Sequence, residues 1–407
     1  MSDTAELLAE ALQGLYARAS MGMRLGLAPM RAACTRLGHP EEAFRVVHVA
    51  GTNGKGSVAA MVESALREDG RTTGMYTSPH LCRFAERIRL NGEPIDDARL
   101  ARALNEALTA GPELSFFEVA TLAAFLVFRD AKVDVAVVEV GIGGRLDATN
   151  VVPSPVASGI TRIAFDHMDK LGTTLADIAR EKAGIARKGG RLVVGPISGA
   201  ALAAIEAEAA RAGATVVHAP SRAVDVGLGG AHQRENANVA WALALAAGAR
   251  PESIAHGIAK AAWPGRLERI EHAAGPYLLD AAHNPDGAEA LARALTAADA
   301  KESPACVVFG ALADKPWQGM LDALAPLCTA RVYVAPPLFA GLARAATDPA
   351  VFAERHAGEL APGVKEALAR AREIAGRGLV LVCGSIFLVG EARALLLDLP
   401  RDPPIAL

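Results

Sequence analysis

Seven residues, Gly51-Thr52-Asn53-Gly54-Lys55-Gly56-Ser57, have the types needed to hold a polyphosphate. Glycines let backbone N–H groups approach phosphate oxygens, and the start of a following helix adds positive potential there. Lys55 would counter charge on the β- and γ-phosphates, and the Ser57 hydroxyl would face Mg²⁺. Gly51 to Gly56 supplies a GxxxxG frame, but the lysine precedes the last glycine instead of following it. Such a loop implies that a nucleotide binds and leaves the reaction open. Two other groups stand out. Glu139 ends an apolar run, where an acid is costly without a cation or a donor. His167, in Phe165-Asp166-His167-Met168, offers an imidazole, although a lone histidine is more often structural. The chain has no GxSxG elbow and no HExxH zinc helix, so nothing marks a protein nucleophile or a zinc site.

The elements that must carry these residues alternate between strand and helix. Residues 45–50 (RVVHVA) form a β-branched run leading into the glycine loop, and 57–69 reads as the helix after it. Residues 133–140 (VDVAVVEV) suit a strand buried on both faces of a parallel sheet. Further strands are expected at 157–161, 191–194 and 215–218, with alanine-rich helices at 200–212 and 236–247. A second strand–helix series follows Trp263-Pro264-Gly265-Arg266, with strands at 277–281, 305–310, 331–335 and 379–383. This alternation predicts an α/β protein: a P-loop ATPase-type doubly wound domain over 1–270, then a smaller Rossmann-like α/β domain over 271–407.

Length and composition agree with that reading. A chain of 407 residues exceeds one ordinary core, and 51% hydrophobic with 21% charged residues describes a soluble globular protein. The net charge is −3 with signs mixed along the chain. No basic stripe or RNP-like aromatic pattern appears, which argues against a nucleic-acid partner. The first twenty residues read as an acidic amphipathic helix without the basic start and apolar core of a signal peptide. The most apolar stretches, 119–128 and 239–247, fall short of the ~20 residues of a membrane span. Cys34, Cys82, Cys306, Cys328 and Cys383 lie far apart without a CxxC pair, as expected for reduced thiols in the cytoplasm.

The 51–57 loop in this variant form resembles the ATP loop of the folylpolyglutamate synthase and dihydrofolate synthase family, within the Mur ligase superfamily. The resemblance runs on through Thr77-Ser78-Pro79-His80-Leu81, Glu86-Arg87-Ile88 and Asn91-Gly92. It continues in Phe117-Glu118 with Thr121, in the block from Glu139 to Asn150 (EVGIGGRLDATN), in Asp166-His167 with Leu171-Gly172, and in Glu181-Lys182-Ala183-Gly184-Ile185. His232-Gln233 with Asn236, then 263–266, Leu279-Asp280-Ala281-Ala282-His283-Asn284-Pro285 and Gly384-Ser385 complete it. Each block is weak evidence, but their joint order and spacing are specific, and they point to the family's bifunctional bacterial members.

The resemblance implies an ATP-dependent amide ligase of folate biosynthesis and one-carbon metabolism, adding L-glutamate to dihydropteroate, to a tetrahydrofolate, or to both. A carboxylate anion resists an approaching amine; the family transfers the ATP γ-phosphoryl to it, making an acyl phosphate. Such a transfer needs phosphate clamps and metal ligands more than a nucleophile. The resemblance implies Ser57, Ser78, Glu139 and His167 as Mg²⁺ ligands, with two ions expected. Lys55, Lys182 and His283 are implied as catalytic residues, Lys182 being a lysine that is carbamylated in many relatives. Asn236, Arg266 and Asp280 are implied to contact ATP beside the 51–57 loop. Leu25, Gly26, Phe116, Phe117, Glu118, Leu146, Asp147 and Ala148 are implied on the pterin side. The expected partners are small molecules alone, with no membrane and with the chain acting as a monomer.

The chain departs from its relatives in three places. Gly26-Leu27-Ala28-Pro29 stands where they usually carry Gly-Leu-Glu-Arg, Ala281 replaces a glycine, and Pro316 follows Asp314-Lys315 where Asp is frequent. The first departure removes two polar residues near the expected pterin pocket and bears on acceptor choice. Two other readings stay open: a Mur-like amino-acid ligase with a different acid acceptor, and a non-catalytic P-loop nucleotide-binding protein. Against the former, only fifty residues precede Gly51, too few for a UDP-sugar-binding domain; against the latter, no NKxD guanine signature is present.

Overall fold

The computed structural model describes residues 3–19, 22, 26–297, 302–337 and 345–403. Among these, one eight-stranded and one six-stranded sheet form. The first contains β1 (Arg45–Ala50), β2 (Thr73–Tyr76), β3 (Ile88–Leu90), β4 (Glu93–Pro94), β5 (Val135–Glu139), β6 (Ala157–Ile160), β7 (Arg191–Val194) and β8 (Thr215–His218). Their order is β4-β3-β2-β5-β1-β6-β7-β8, parallel except for β3 and β4, which fold back as an antiparallel edge.

Successive side chains of a strand face opposite sides, so a central strand needs apolar residues at every position. Val46, Ala136 and Val138 pack with the helices Asp3–Tyr16, Asp97–Ala110 and Phe116–Asp130. Val47, Val49, Val135 and Val137 face the helices Lys55–Glu68, Ala231–Ala246 and Pro251–Lys260. β1 lies between β5 and β6. The chain leaves β1 to one side for β2 and later crosses from β5 to β6 on the other. This reversal opens a crevice beyond the carboxyl ends of the three strands, where a doubly wound sheet receives its ligands.

The second sheet holds β9 (Glu268–Ile270), β10 (Tyr277–Asp280), β11 (Pro304–Phe309), β12 (Arg331–Tyr333), β13 (Glu359–Leu360) and β14 (Leu379–Cys383), ordered β13-β12-β11-β14-β10-β9. Only β9 is antiparallel, pairing Ile270 with Tyr277. The strand β9 thus goes with the second sheet although it precedes the division read near Ile270. Helices cover both faces here too, Val364–Ala375 and Ile386–Leu396 on one, Pro285–Thr296 and Trp317–Leu324 on the other.

The expected strands at 45–50, 191–194, 215–218 and 379–383 are observed with those bounds. The strand read at 133–140 is shorter, and the helix read from 57 begins at Lys55, because Gly54 caps it in the left-handed region at φ 88°. The N-terminal helix is present as Asp3–Tyr16, and the five cysteines are free. No helix among the described residues is long and apolar enough to cross a membrane.

The helices Lys55–Glu68 and Pro251–Lys260 touch closely: a Cβ on Gly257 would stand 2.4 Å from the Ala65 backbone. Gly257→Ala is therefore expected to force the helices apart and cost about 1–3 kcal/mol of stability. Urea unfolding would register this as a lower midpoint, and an unchanged midpoint would contradict the contact.

Candidate active site

β1 ends in the glycine loop, and the segment after β6 holds that loop from the side. Thr52 N–H donates to the Arg162 carbonyl at 2.7 Å, Thr52 Oγ1 pairs with the Ala164 backbone at 3.1 Å, and Thr161 Oγ1 donates to the Asn53 carbonyl at 2.6 Å. Only glycine fits at two points. A Cβ at Gly51 would lie 1.9 Å from Thr161 Oγ1, and one at Gly54 would lie 2.3 Å from Asn236 Oδ1. Lys55 opens the helix, its Nζ 3.1 Å from the Thr52 carbonyl and 4.0 Å from Glu139 Oε1.

Four ionisable side chains surround this loop in the crevice. Glu139, the last residue of β5, is buried and accepts from Ser78 N–H at 3.1 Å. Burial pushes its carboxyl up from the usual range, and nearby Lys55 pulls it down only in part. Lys182 is buried as well, its Nζ donating to the Gly51 carbonyl at 3.0 Å. Desolvation, aided by the Lys55 charge, brings its pKa down to about 7. Asp166 forms a 2.8 Å ion pair with Lys315 from the second half of the chain. Burial alone would raise Asp166, but the Lys315 charge, aided by His167, outweighs it and holds the carboxyl well below its usual range. His283 Nδ1 lies 2.9 Å from the Ala281 carbonyl, an acceptor only, so Nδ1 carries the proton and Nε2 presents its lone pair toward Asp166, 3.9 Å away. Burial and the Lys315 charge bring the ring down to about 3, hence neutral.

A cavity of about 610 Å³ runs through this crevice. Its glycine-loop end is lined by Gly51, Thr52, Asn53, Gly54, Lys55 and Gly56 together with Ser78, Glu139, His167, Lys182 and Arg266. Its far end is aromatic. Phe116 packs against Tyr16 (ring centroids 5.3 Å apart) and edge-on to Phe84 (6.0 Å), and the Arg87 guanidinium lies over Phe84 and Phe116 at 5.1 and 5.4 Å. Phe117, Leu146, Asp147, Ala148 and Glu118 line the cavity as well. Two of these acids also brace the backbone. Glu118 closes a capping box with Ser115, and Asp147 accepts from the N–H groups of Ile142 and Thr149 at 3.0 Å each. Gly26 is not among the residues that line the cavity, and Leu25 lies outside the described residues. The departure at Ala28-Pro29 starts a helix, Ala28–Arg36, with the proline in its first turn.

Ser57, Asn236, Arg266 and Asp280 meet instead around a second cavity of about 200 Å³ on the other side of the glycine loop. Asn236 donates to Gln233 at 2.9 Å and Gln233 to Ser57 Oγ at 3.3 Å. Asp280 accepts from the N–H groups of Leu267 and Ala282, and its burial raises the carboxyl against the Arg266 charge. Asn53, Gly54, Arg266 and His283 border both cavities.

Several pairings that build the site carry no signal in the sequence, although Asn53, Asp166 and Asn284 fall in motifs already read. Asn53 and Asn284 exchange two amide hydrogen bonds of 3.0 and 3.1 Å, and Asn53 also donates to Asp286 at 2.7 Å. Arg162 reaches the same Asp286 at 2.9 Å. These pairs, and Asp166 with Lys315, join groups more than a hundred residues apart, so no local spacing announces them. The Glu118 cap was legible, since Ser115-x-x-Glu118 is a capping-box signature.

The comparisons with known proteins agree with the geometry. Residues 49–223 match the Mur ligase middle domain, and residues 265–386 match the Mur ligase glutamate ligase domain. The dihydrofolate synthase/folylpolyglutamate synthase of Bacillus subtilis is 40% identical over 358 residues, 77% of this chain and 82% of that protein. The Escherichia coli protein of the same name is 36% identical over 317 residues, covering 73% and 74%. The structure of E. coli FolC in complex with DHPP and ADP superimposes with a TM-score of 0.86 at 30% identity, over 98% of this chain and 99% of that one. A Yersinia pestis folylpolyglutamate synthase/dihydrofolate synthase complexed with AMPPNP and Mn ion gives 0.85 at 30% identity, over 96% and 98%. Fold and crevice define a Mur-type ATP-dependent ligase. Within that class, the chain belongs to the bifunctional dihydrofolate synthase/folylpolyglutamate synthase family.

A lysine near pKa 7 is largely an amine where ordinary lysines, near 10.5, are ammonium ions. Because the folded chain binds this proton less tightly than the unfolded chain, stability should rise with pH between about 7 and 10.5. Lys182→Met is expected to remove that slope. Denaturant midpoints across this window test it, and equal slopes in both proteins would contradict the depressed pKa.

Proposed function

We propose that this chain joins L-glutamate to dihydropteroate and to a tetrahydrofolate, consuming ATP and releasing ADP and phosphate. The observation that carries the reading is one continuous cavity, with the glycine loop, Glu139 and Lys182 at one end and a cluster of packed aromatic rings at the other. A flat bicyclic acceptor suits the rings, and its carboxylate would then point toward the phosphate end. In this reading the acceptor rests on Phe116, Phe117, Leu146, Asp147 and Ala148, and the nucleotide crosses the glycine loop to Asn236, Arg266 and Asp280. The chain divides near Ile270 into a nucleotide-binding and a glutamate-ligating part. We place the enzyme in the cytoplasm as a monomer.

The donor set fits magnesium. Glu139 is a buried carboxylate, Ser78 offers a hydroxyl oxygen and His167 stands at the same crevice, while Ser57 lies at the second cavity beside Gln233; hard oxygen donors in small number are what Mg²⁺ takes. When bound, Mg²⁺ would neutralise phosphate charge during transfer. Lys55 adds a fixed positive charge beside the γ-phosphoryl group as the acceptor carboxylate oxygen attacks phosphorus and ADP leaves. The glutamate amine then attacks the carbonyl carbon of the acyl phosphate, phosphate leaves, and the amine gives up its proton. In this reading the neutral His283 Nε2 accepts a hydrogen bond from that amine. A depressed lysine supports carbamylation of Lys182, since only the free amine adds carbon dioxide. The carbamate would place an anion beside the glycine loop and help hold a second magnesium.

The test is product formation from MgATP and L-glutamate with dihydropteroate and, separately, with tetrahydrofolate, each product identified by mass. Glutamylation of both acceptors is expected; glutamylation of neither, with ATP still bound, would overturn the reading. Glu139→Gln is expected to lower turnover on the order of 10²–10³-fold with an unchanged circular dichroism spectrum. Near-normal turnover of that variant would remove Glu139 from the metal site. Lys182→Ala is expected to lose ligation and to recover part of it with added small carboxylates, and wild-type turnover without them would refute the carbamate.

A further inference from the structure

The loop over residues 78–87 walls the large cavity, and its two ends are anchored in different ways. At the Ser78 end the anchors are local to the first sheet: Ser78 N–H donates to Glu139, and Glu86 accepts from the N–H groups of Leu81, Cys82 and Arg83. At the Phe84 end the anchor comes from the far end of the chain. Phe84 N–H donates to Asp402 Oδ2 at 2.7 Å, and Arg83 Nε lies 3.3 Å from Asp402 Oδ1. Arg83 has a second acid, Asp97 at 2.6 Å, so Asp402 is the particular partner of the Phe84 backbone. The side chain Phe84 is fully buried and touches Phe116, Arg87 and His80. The helix Ile386–Leu396 presses the same loop from behind, where a Cβ on Gly390 would stand 2.1 Å from the Leu81 carbonyl.

We propose that Asp402 is a positioning residue for acceptor binding, fixing the Phe84 backbone and through its ring the Phe116 and Arg87 wall of the cavity. The inference rests on reading the aromatic end as the acceptor site. A carboxylate that accepts from a backbone N–H while facing a guanidinium is a charge-assisted pair and stronger than a neutral one. Removing it frees the Phe84 end alone. The phosphate end keeps Glu86, Glu139 and the glycine loop, so acceptor binding should weaken while nucleotide binding does not.

Full-length Asp402→Ala, Asp402→Asn and Asp402→Glu would be compared with Phe117→Ala, which probes the acceptor site independently of the C-terminal tail. Initial rates would be measured against each substrate in turn, and acceptor affinity by calorimetry without ATP. Asp402→Ala is expected to raise the acceptor KM and Kd about 5–20-fold, the loss of one charged hydrogen bond. KM for MgATP and for glutamate should stay within about twofold, and Asp402→Glu should recover part of the loss where Asp402→Asn recovers less. An unchanged acceptor KM in Asp402→Ala, alongside a raised one in Phe117→Ala, would overturn the proposal and leave the acceptor site standing. If Phe117→Ala leaves the acceptor KM unchanged, the acceptor-site reading falls and the proposal with it. A parallel rise of all three KM values with a lower melting temperature would also overturn it, since that marks a general structural role. Should Asp402→Ala not fold, the near-isosteric Asp402→Asn carries the same comparison.

Discussion

Charges taken out of water must be balanced within a few ångströms, and the crevice at the carboxyl ends of β1 and β5 concentrates several of them. Glu139 faces Lys55 at 4.0 Å, Asp166 faces Lys315 at 2.8 Å, and Lys182 donates to the Gly51 carbonyl, its burial and the Lys55 charge making it easy to deprotonate. Removing one member of such a set leaves its partner buried and uncompensated, which costs far more than the pair itself contributes. The surrounding structure is arranged around that constraint. Strand ends deliver the acids, the helix after the glycine loop delivers Lys55, and the second half of the chain must supply Lys315 before Asp166 is neutralised.

The same constraint explains why the glycine loop is held so tightly before any phosphate arrives. Its carbonyls accept from Lys55, Lys182 and Thr161, and its Asn53 side chain is engaged by Asn284 and Asp286. A loop in this condition is preorganised, since its N–H groups need little rearrangement to meet an anion. It is also a partition. The large cavity lies on one side and the smaller one on the other, with Asn53 and Gly54 bordering both. The same stretch of backbone therefore lines both spaces.

Legibility from sequence followed local density of information. β1, β7, β8 and β14 could be read with their bounds because each is a short β-branched or apolar run between turn-forming residues. The short strands β3, β4, β9 and β13 escaped notice, being two or three residues long with no buried face on both sides to fix their composition. The glycine loop was visible from spacing alone. Glu118 and Asp147 were read for an acceptor site; the Glu118 cap was open to sequence through Ser115-x-x-Glu118, whereas the Asp147 bonds to the backbone emerged only with coordinates. The cross-sheet partners were out of reach for a plain reason. Arg162 with Asp286, Asp166 with Lys315 and Phe84 with Asp402 are related by tertiary distance, and sequence separation hides it.

The strands of the first sheet all precede those of the second in the chain, so a single crossing near 263–268 joins the two halves. Genetically, that makes each half an uninterrupted stretch that recombination could transfer whole. The paired residues restrict which transfers succeed. An incoming second half must bring an amide for Asn53, a cation for Asp166, an acid for Arg162 and a carboxylate for the Phe84 backbone. Halves from different lineages would inherit their cores intact and still fail at these four seams, which makes the seams the places where the two parts must evolve together.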